Sequence, residues 1–204
     1  IRHAVQQGNR QILLGLGGSC TNDGGCGCAA ALGVRFLDGE GRSFIPVGGT
    51  LKRIEHIDVS GAEELLRGVN ITAMCDIDNP MHGPVGAACI FGPQKGANPD
   101  TVEFLDGQLK ALDETIRREL HMSVADVPGS GAAGAFGAGI LALLGGTLCP
   151  GIEAVLDLVD FDARLKGCDL VITGEGRFDS QSIRGKVISG VSRRAKAQNV
   201  PVMV

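Results

Sequence analysis

Three short stretches of this chain place carboxylates, in two of them among glycines, each directly after an apolar run. Gly17-Gly18-Ser19-Cys20-Thr21-Asn22-Asp23-Gly24-Gly25 follows Ile12-Leu13-Leu14-Gly15-Leu16. Cys75-Asp76-Ile77-Asp78-Asn79-Pro80 follows the run ending at Met74, and Gly174-Glu175-Gly176-Arg177-Phe178-Asp179 follows the run ending at Thr173. Glycines such as Gly17 and Gly18 let a ligand approach the backbone, and amides at a following helix start favour an anion. Glycines cannot bind a cation or orient a hydroxyl, whereas Asp23 can. Asp76 and Asp78, two residues apart on an extended strand end, point the same way and can share a hard cation such as Mg²⁺. Lys95, in the loop Gly92-Pro93-Gln94-Lys95-Gly96, brings a point charge to a phosphate or carboxylate. With Arg177 and Lys186 it completes a set that suits phosphoryl transfer: cations to neutralise phosphates and a carboxylate to orient the attacking hydroxyl. Each stretch also has a plainer reading: a turn with Asn22 or Asp23 capping a helix, a polar turn at Asp76, a solvated lysine at 95.

The elements that must position these residues alternate strand and helix. Gln11–Leu16 predicts a strand and Gly24–Leu32 a helix; Val34–Leu37, Arg42–Val47 and His56–Val59 predict short strands, with a short helix through Ile54. Val69–Met74 predicts a further strand and Gly83–Phe91 a buried helix. Pro99–Leu120 is the clearest helix: Val102, Leu105, Leu109, Leu112, Ile116 and Leu120 recur by threes and fours, with Asn98 as cap. The breaker Val127–Gly131 precedes a glycine-rich helix from Ala132 to Leu144, and Gly129–Gly134 is a second candidate phosphate loop. A helix over Gly151–Leu158, a strand over Cys168–Thr173, a helix over Val187–Gln198 and a strand over Val200–Val204 follow. The pattern predicts α/β with parallel pairing, and acidic or glycine loops collected at one sheet edge. The division between halves is expected near residue 130, giving segments 1–130 and 131–204.

The chain has 204 residues, 44% hydrophobic, with formal charge −4. That argues for a folded core and against a basic nucleic-acid face. With no Trp, no Tyr and seven Phe, base-stacking platforms are poorly supplied. The seven cysteines form an odd set in apolar surroundings, as expected of reduced thiols in a cytosolic protein. No signal peptide or membrane-spanning run is read, so a cytoplasmic protein without membrane partners is expected. Ile rather than Met stands first, and both ends fall inside apparent elements, as in an internal piece of a longer protein.

Neither standard nucleotide motif is complete. Gly185-Lys186 is followed by Val187 rather than Ser or Thr, and Gly15-x-Gly17-Gly18 lacks the third glycine spacing of a dinucleotide loop. Four blocks in order nevertheless resemble the signature segments of the type-1 bacterial glycerate kinase family, which has no P-loop: Gly15 to Gly25, Cys75 to Pro80, Phe91 to Gly96 and Ile172 to Arg177. The resemblance covers essentially the whole chain, with Cys20 where the family usually has alanine. It implies a glycerate-kinase-like α/β fold: a parallel or mixed sheet flanked by helices, forming an inserted domain plus an edge of a discontinuous Rossmann-like domain. It implies transfer of the ATP γ-phosphoryl group to D-glycerate with Mg²⁺, giving 2-phosphoglycerate or the 3-phosphate.

Under that resemblance, Asp23, Asp76, Lys95 and Arg177 are the candidate catalytic residues. Gly17, Gly18, Ser19, Asn22 and Glu175 are candidates for binding ATP or substrate, and Asp76 with Asp78 for the metal. The family's opening and closing segments have no counterpart here, so missing parts of the same chain are expected to complete the cleft. The fragment alone is expected to be inactive, and a homo-oligomer is compatible with the sequence. Two rivals stay open: a Rossmann-like oxidoreductase, and a non-catalytic α/β domain that binds small sugar acids.

Overall fold

Two apolar runs, Ile12–Leu14 and Ile71–Ala73, lie side by side and organise the first part of the molecule. The computed structural model describes residues 1–174 and 187–204. They form two compact units, Ile1–Leu148 and Cys149–Val204. The division between these compact units falls after Leu148. Ala135, Ala138 and Ile140 are buried in the same core cluster as Cys26 and Leu112.

In the first unit α1 (Arg2–Gln6) leads into β1 (Gln11–Gly15), then α2 (Cys26–Leu32), β2 (Arg35–Leu37), β3 (Ser43–Phe44) and β4 (His56–Asp58). α3 (Ser60–Leu65) precedes β5 (Asn70–Met74), followed by α4 (Ala87–Phe91), a 3₁₀ turn over Pro93–Lys95, α5 (Pro99–Leu120), α6 (Ala132–Leu143) and β6 (Thr147–Cys149). One sheet has the order β1-β5-β6, and β1 and β5 run parallel with Gly15 level with Met74. A second has the order β3-β2-β4 and is antiparallel. The expected α/β class, with parallel and mixed pairing flanked by helices, is what forms.

α5 follows its sequence closely. The Asn98 side chain accepts from the Thr101 amide at 2.8 Å and Pro99 occupies the first turn, both standard N-terminal devices. Leu109, Leu112 and Ile116 are fully buried, and the helix ends where His121 turns left-handed at φ 55°. α4 is shorter than expected. Gly83 sits at φ +93° with Pro84 after it, so the chain turns there and helix begins only at Ala87.

The second unit contains α7 (Gly151–Leu158), α8 (Phe161–Arg164), β7 (Val171–Ile172), α9 (Val187–Ala197) and β8 (Val202–Met203), with β7 and β8 parallel. Arg194 of α9 is its electrostatic centre. It meets Glu153 at 2.8 Å, Asp157 at 2.6 Å and Asp162 at 3.1 Å, while Arg193 also binds Glu153. Those bonds push the Arg194 pKa further up, so it stays charged at any accessible pH.

Candidate functional site

Because β1 and β5 are parallel and in register, the loops after Gly15 and Met74 leave the same edge of the sheet, where α/β folds bind ligands. A cavity of about 340 Å³ opens there. Gly17, Gly18 and Ser19 line it from the first loop, Asp76 from the second and Lys95 from the 3₁₀ turn after α4. Five of the sequence-predicted site residues thus share one hollow. Glu175 and Arg177 lie outside the described residues.

Three further candidates do not line the cavity. Asp23 accepts from the amides of Gly25 at 3.0 Å and Gly27 at 3.1 Å, so its carboxylate organises the start of α2. The side-chain oxygen and nitrogen of Asn22 are buried without a hydrogen-bond partner among the described residues. Asp78 is exposed and two residues beyond Asp76. The expected common direction of these two carboxylates assumed an extended strand, but β5 stops at Met74 and the alternation of faces ends with it. Only Asp76 reaches the cavity lining.

Lys95 is the cation of the site. Its ammonium donates to Ser19 Oγ at 3.0 Å and to the Thr21 carbonyl at 2.7 Å. No carboxylate among the described residues lies within ion-pair distance of it. Burial pulls its pKa below the ordinary 10.5, with Cys20 and Asp23 acting the other way. Burial, with the charges of Asp76 and Asp78, pushes the Cys75 thiol up, so this wall residue stays protonated and neutral.

Sequence reasoning missed Met74, Gln94 and the small residues Ala132 and Ala133, all of which line the cavity. Ala133, Gly134 and Ala135 have φ of 53°, 69° and 68°, three left-handed residues in a row before the right-handed part of α6. Each alanine there costs roughly 1–2 kcal/mol. Gly134 is required at its position. A Cβ would overlap the Thr21 carbonyl, and its own carbonyl accepts from the Gly24 amide at 3.0 Å. Gly139, one turn on, leaves no room for a Cβ against the Gly24 carbonyl. The first glycine loop is therefore held from two sides, by Lys95 and by this turn. Glycine density in Gly129–Gly134 signalled a loop; alanines at positive φ leave no signature of their own.

The glycerate kinase family model matches residues 1–204. The chain belongs to the glycerate kinase family. It is 48% identical over 203 residues to a glycerate kinase of Bacillus cereus, covering 100% of this chain and 53% of the relative. It is 45% identical over 203 residues to a protein of Escherichia coli named glycerate 2-kinase, again covering 100% and 53%. A solved structure from Salmonella typhimurium LT2, provisionally named glycerate kinase 2, superposes with a TM-score of 0.90 at 47% identity, over 98% of this chain and 54% of that one. The chain thus spans about half the length of the curated relatives it matches. Membership carries the fold expectation with it, and it disfavours the oxidoreductase and sugar-acid-sensor rivals.

Proposed function

We propose that the parent protein is an ATP-dependent kinase that phosphorylates D-glycerate in the cytoplasm, and that this chain supplies the core of its acceptor site. What carries the reading is the cavity at the ends of β1 and β5: in a member of this family it holds a carboxylate, Asp76, and a cation, Lys95, without a carboxylate partner among the described residues. The relative named glycerate 2-kinase favours 2-phosphoglycerate as product. Among the described residues no helix is long and apolar enough to cross a membrane.

Asp76 accepts the proton side of the acceptor hydroxyl and orients its oxygen for attack. Lys95 counters negative charge in the cavity, and the Gly17–Ser19 backbone admits the reacting groups closely. Asp23, through the Gly25 and Gly27 amides, fixes the start of α2 just beyond the loop that carries Ser19. Among the described residues there is no group of three or more potential ligands for a metal. One or two carboxylates suffice for Mg²⁺ when substrate phosphates complete its shell. The donor set of Asp76, with Asp78 nearby, fits that mode, and the bound ion would neutralise phosphate charge.

A coupled assay of the full-length protein with ATP, Mg²⁺ and D-glycerate tests the reading. Turnover to a phosphoglycerate is expected. Asp76→Asn is expected to lower kcat by about a hundredfold or more with folding intact; near-normal turnover in that variant would remove Asp76 from the mechanism. The 204-residue piece alone is expected to show no appreciable transfer.

A further inference from the structure

We propose that Lys95 and the left-handed turn at Ala133–Gly134 form the subsite for the carboxylate of the small hydroxy acid, leaving its hydroxyl end to Asp76. This rests on reading the cavity as the acceptor site of a glycerate kinase.

An ammonium has three donors. Lys95 spends two on neutral oxygens, Ser19 Oγ and the Thr21 carbonyl, and lines the cavity with the third and with its whole charge unmatched by any carboxylate among the described residues. A half-buried cation in that condition is completed by an anionic ligand.

Ala133 lines the same cavity. Ala132 donates to Gly129 and Ala135 to Gly131, and the Ala133 and Gly134 amides between them stand in the first turn of α6, where N–H groups have no intrahelical acceptor. Successive N–H groups beside a left-handed residue make a concavity for an anion. The strain of two alanines at positive φ is the sort that persists where function requires it.

Charge and shape favour a carboxylate over a phosphoryl group. One lysine matches one negative charge, and Asp76 in the same cavity opposes a multiply charged group while accepting readily from a hydroxyl. A carboxylate offers one oxygen to the ammonium and one to the amides, which fixes the direction of the adjoining hydroxyl-bearing carbons.

The experiment uses the full-length enzyme. Affinities for D-glycerate and for ATP are measured in wild type, Lys95→Gln and Lys95→Arg, with glycerol as the probe lacking a carboxylate. Lys95→Gln is expected to weaken D-glycerate by about tenfold to a hundredfold, to leave ATP within about twofold, and to erase most of the preference for D-glycerate over glycerol. Lys95→Arg is expected to restore part of it. In ¹⁵N-labelled wild type the Ala133 and Gly134 amide resonances are expected to move on adding D-glycerate and not glycerol, a readout that holds even if a variant folds poorly. Weakened ATP with unchanged D-glycerate would place a phosphoryl group at Lys95 and overturn the proposal while the kinase reading stands. Unmoved Ala133 and Gly134 resonances at saturating D-glycerate would also overturn it. A wild type that transfers nothing to D-glycerate would remove the kinase reading itself.

Discussion

Arg194 in the second unit and Lys95 in the first are both partly sheltered cations, and they are treated in opposite ways. Three carboxylates, Glu153 and Asp157 of α7 and Asp162 of α8, gather on Arg194. Lys95 is given a hydroxyl and a carbonyl, and no countercharge among the described residues. The first arrangement closes on itself and holds elements together. The second leaves a charge unanswered at a cavity wall, beside the first turn of α6. Where a fold can saturate a cation and does so in one place but not in another, the unsaturated one marks where a ligand belongs.

The contrast can be broken at its strongest point first. Gly134→Ala forces a Cβ into the Thr21 carbonyl at a positive φ. It is expected to cost about 3 kcal/mol and to collapse the loop carrying Ser19; thermal melting and the kinase assay of the full-length protein both report it. Next, Arg194→Met strands Asp157 and Asp162 and leaves Glu153 with Arg193 alone, and is expected to destabilise by about 2 kcal/mol with little change in the KM for D-glycerate. Lys95→Met should do the reverse: a stability change below about 1 kcal/mol with D-glycerate binding lost. Equal effects of the two substitutions on stability would erase the distinction between clamp and site.

The smallest effect lies away from both. Asp58 accepts from Ser60 and Arg35, which lowers its pKa from 3.8 to about 2. A depressed carboxylate stabilises the fold above its unfolded pKa, and that contribution fades as pH falls from 3.8 towards 2. The pair is largely exposed, so Asp58→Asn is expected to cost about 0.5 kcal/mol at pH 7. The gap from wild type should close in urea melts run towards pH 2.

The two long helices show what the sequence made legible. α5 was readable almost to the residue, since a capping Asn, a first-turn Pro and an apolar stripe all act locally. α6 was expected as one helix, and its left-handed break could not be read because alanine favours helix everywhere; the partners at the break, the Thr21 carbonyl against Gly134 and the Gly24 amide donating to the Gly134 carbonyl, are distant in sequence. α3 and β6 went unread, one of six residues with Gly61 in its first turn and the other of three residues after Gly145-Gly146, both too short for a periodic signal. At the site, residue types announced Asp76 and Lys95, but the bonds from Lys95 to Ser19 and Thr21 join segments more than seventy residues apart. The direction of Asp78 failed for a local reason, the end of β5 at Met74.

Two kinds of glycine surround the cavity. Gly134 and Gly139 seat its loops so closely against neighbouring carbonyls that neither position has room for a Cβ, whereas Gly17 and Gly18, in the lining itself, have open space where a Cβ would stand. Drift in substrate choice within this lineage then has room at the lining positions, Gly17, Gly18, Met74, Phe91 and Gln94 among them, and none at the two glycines behind it.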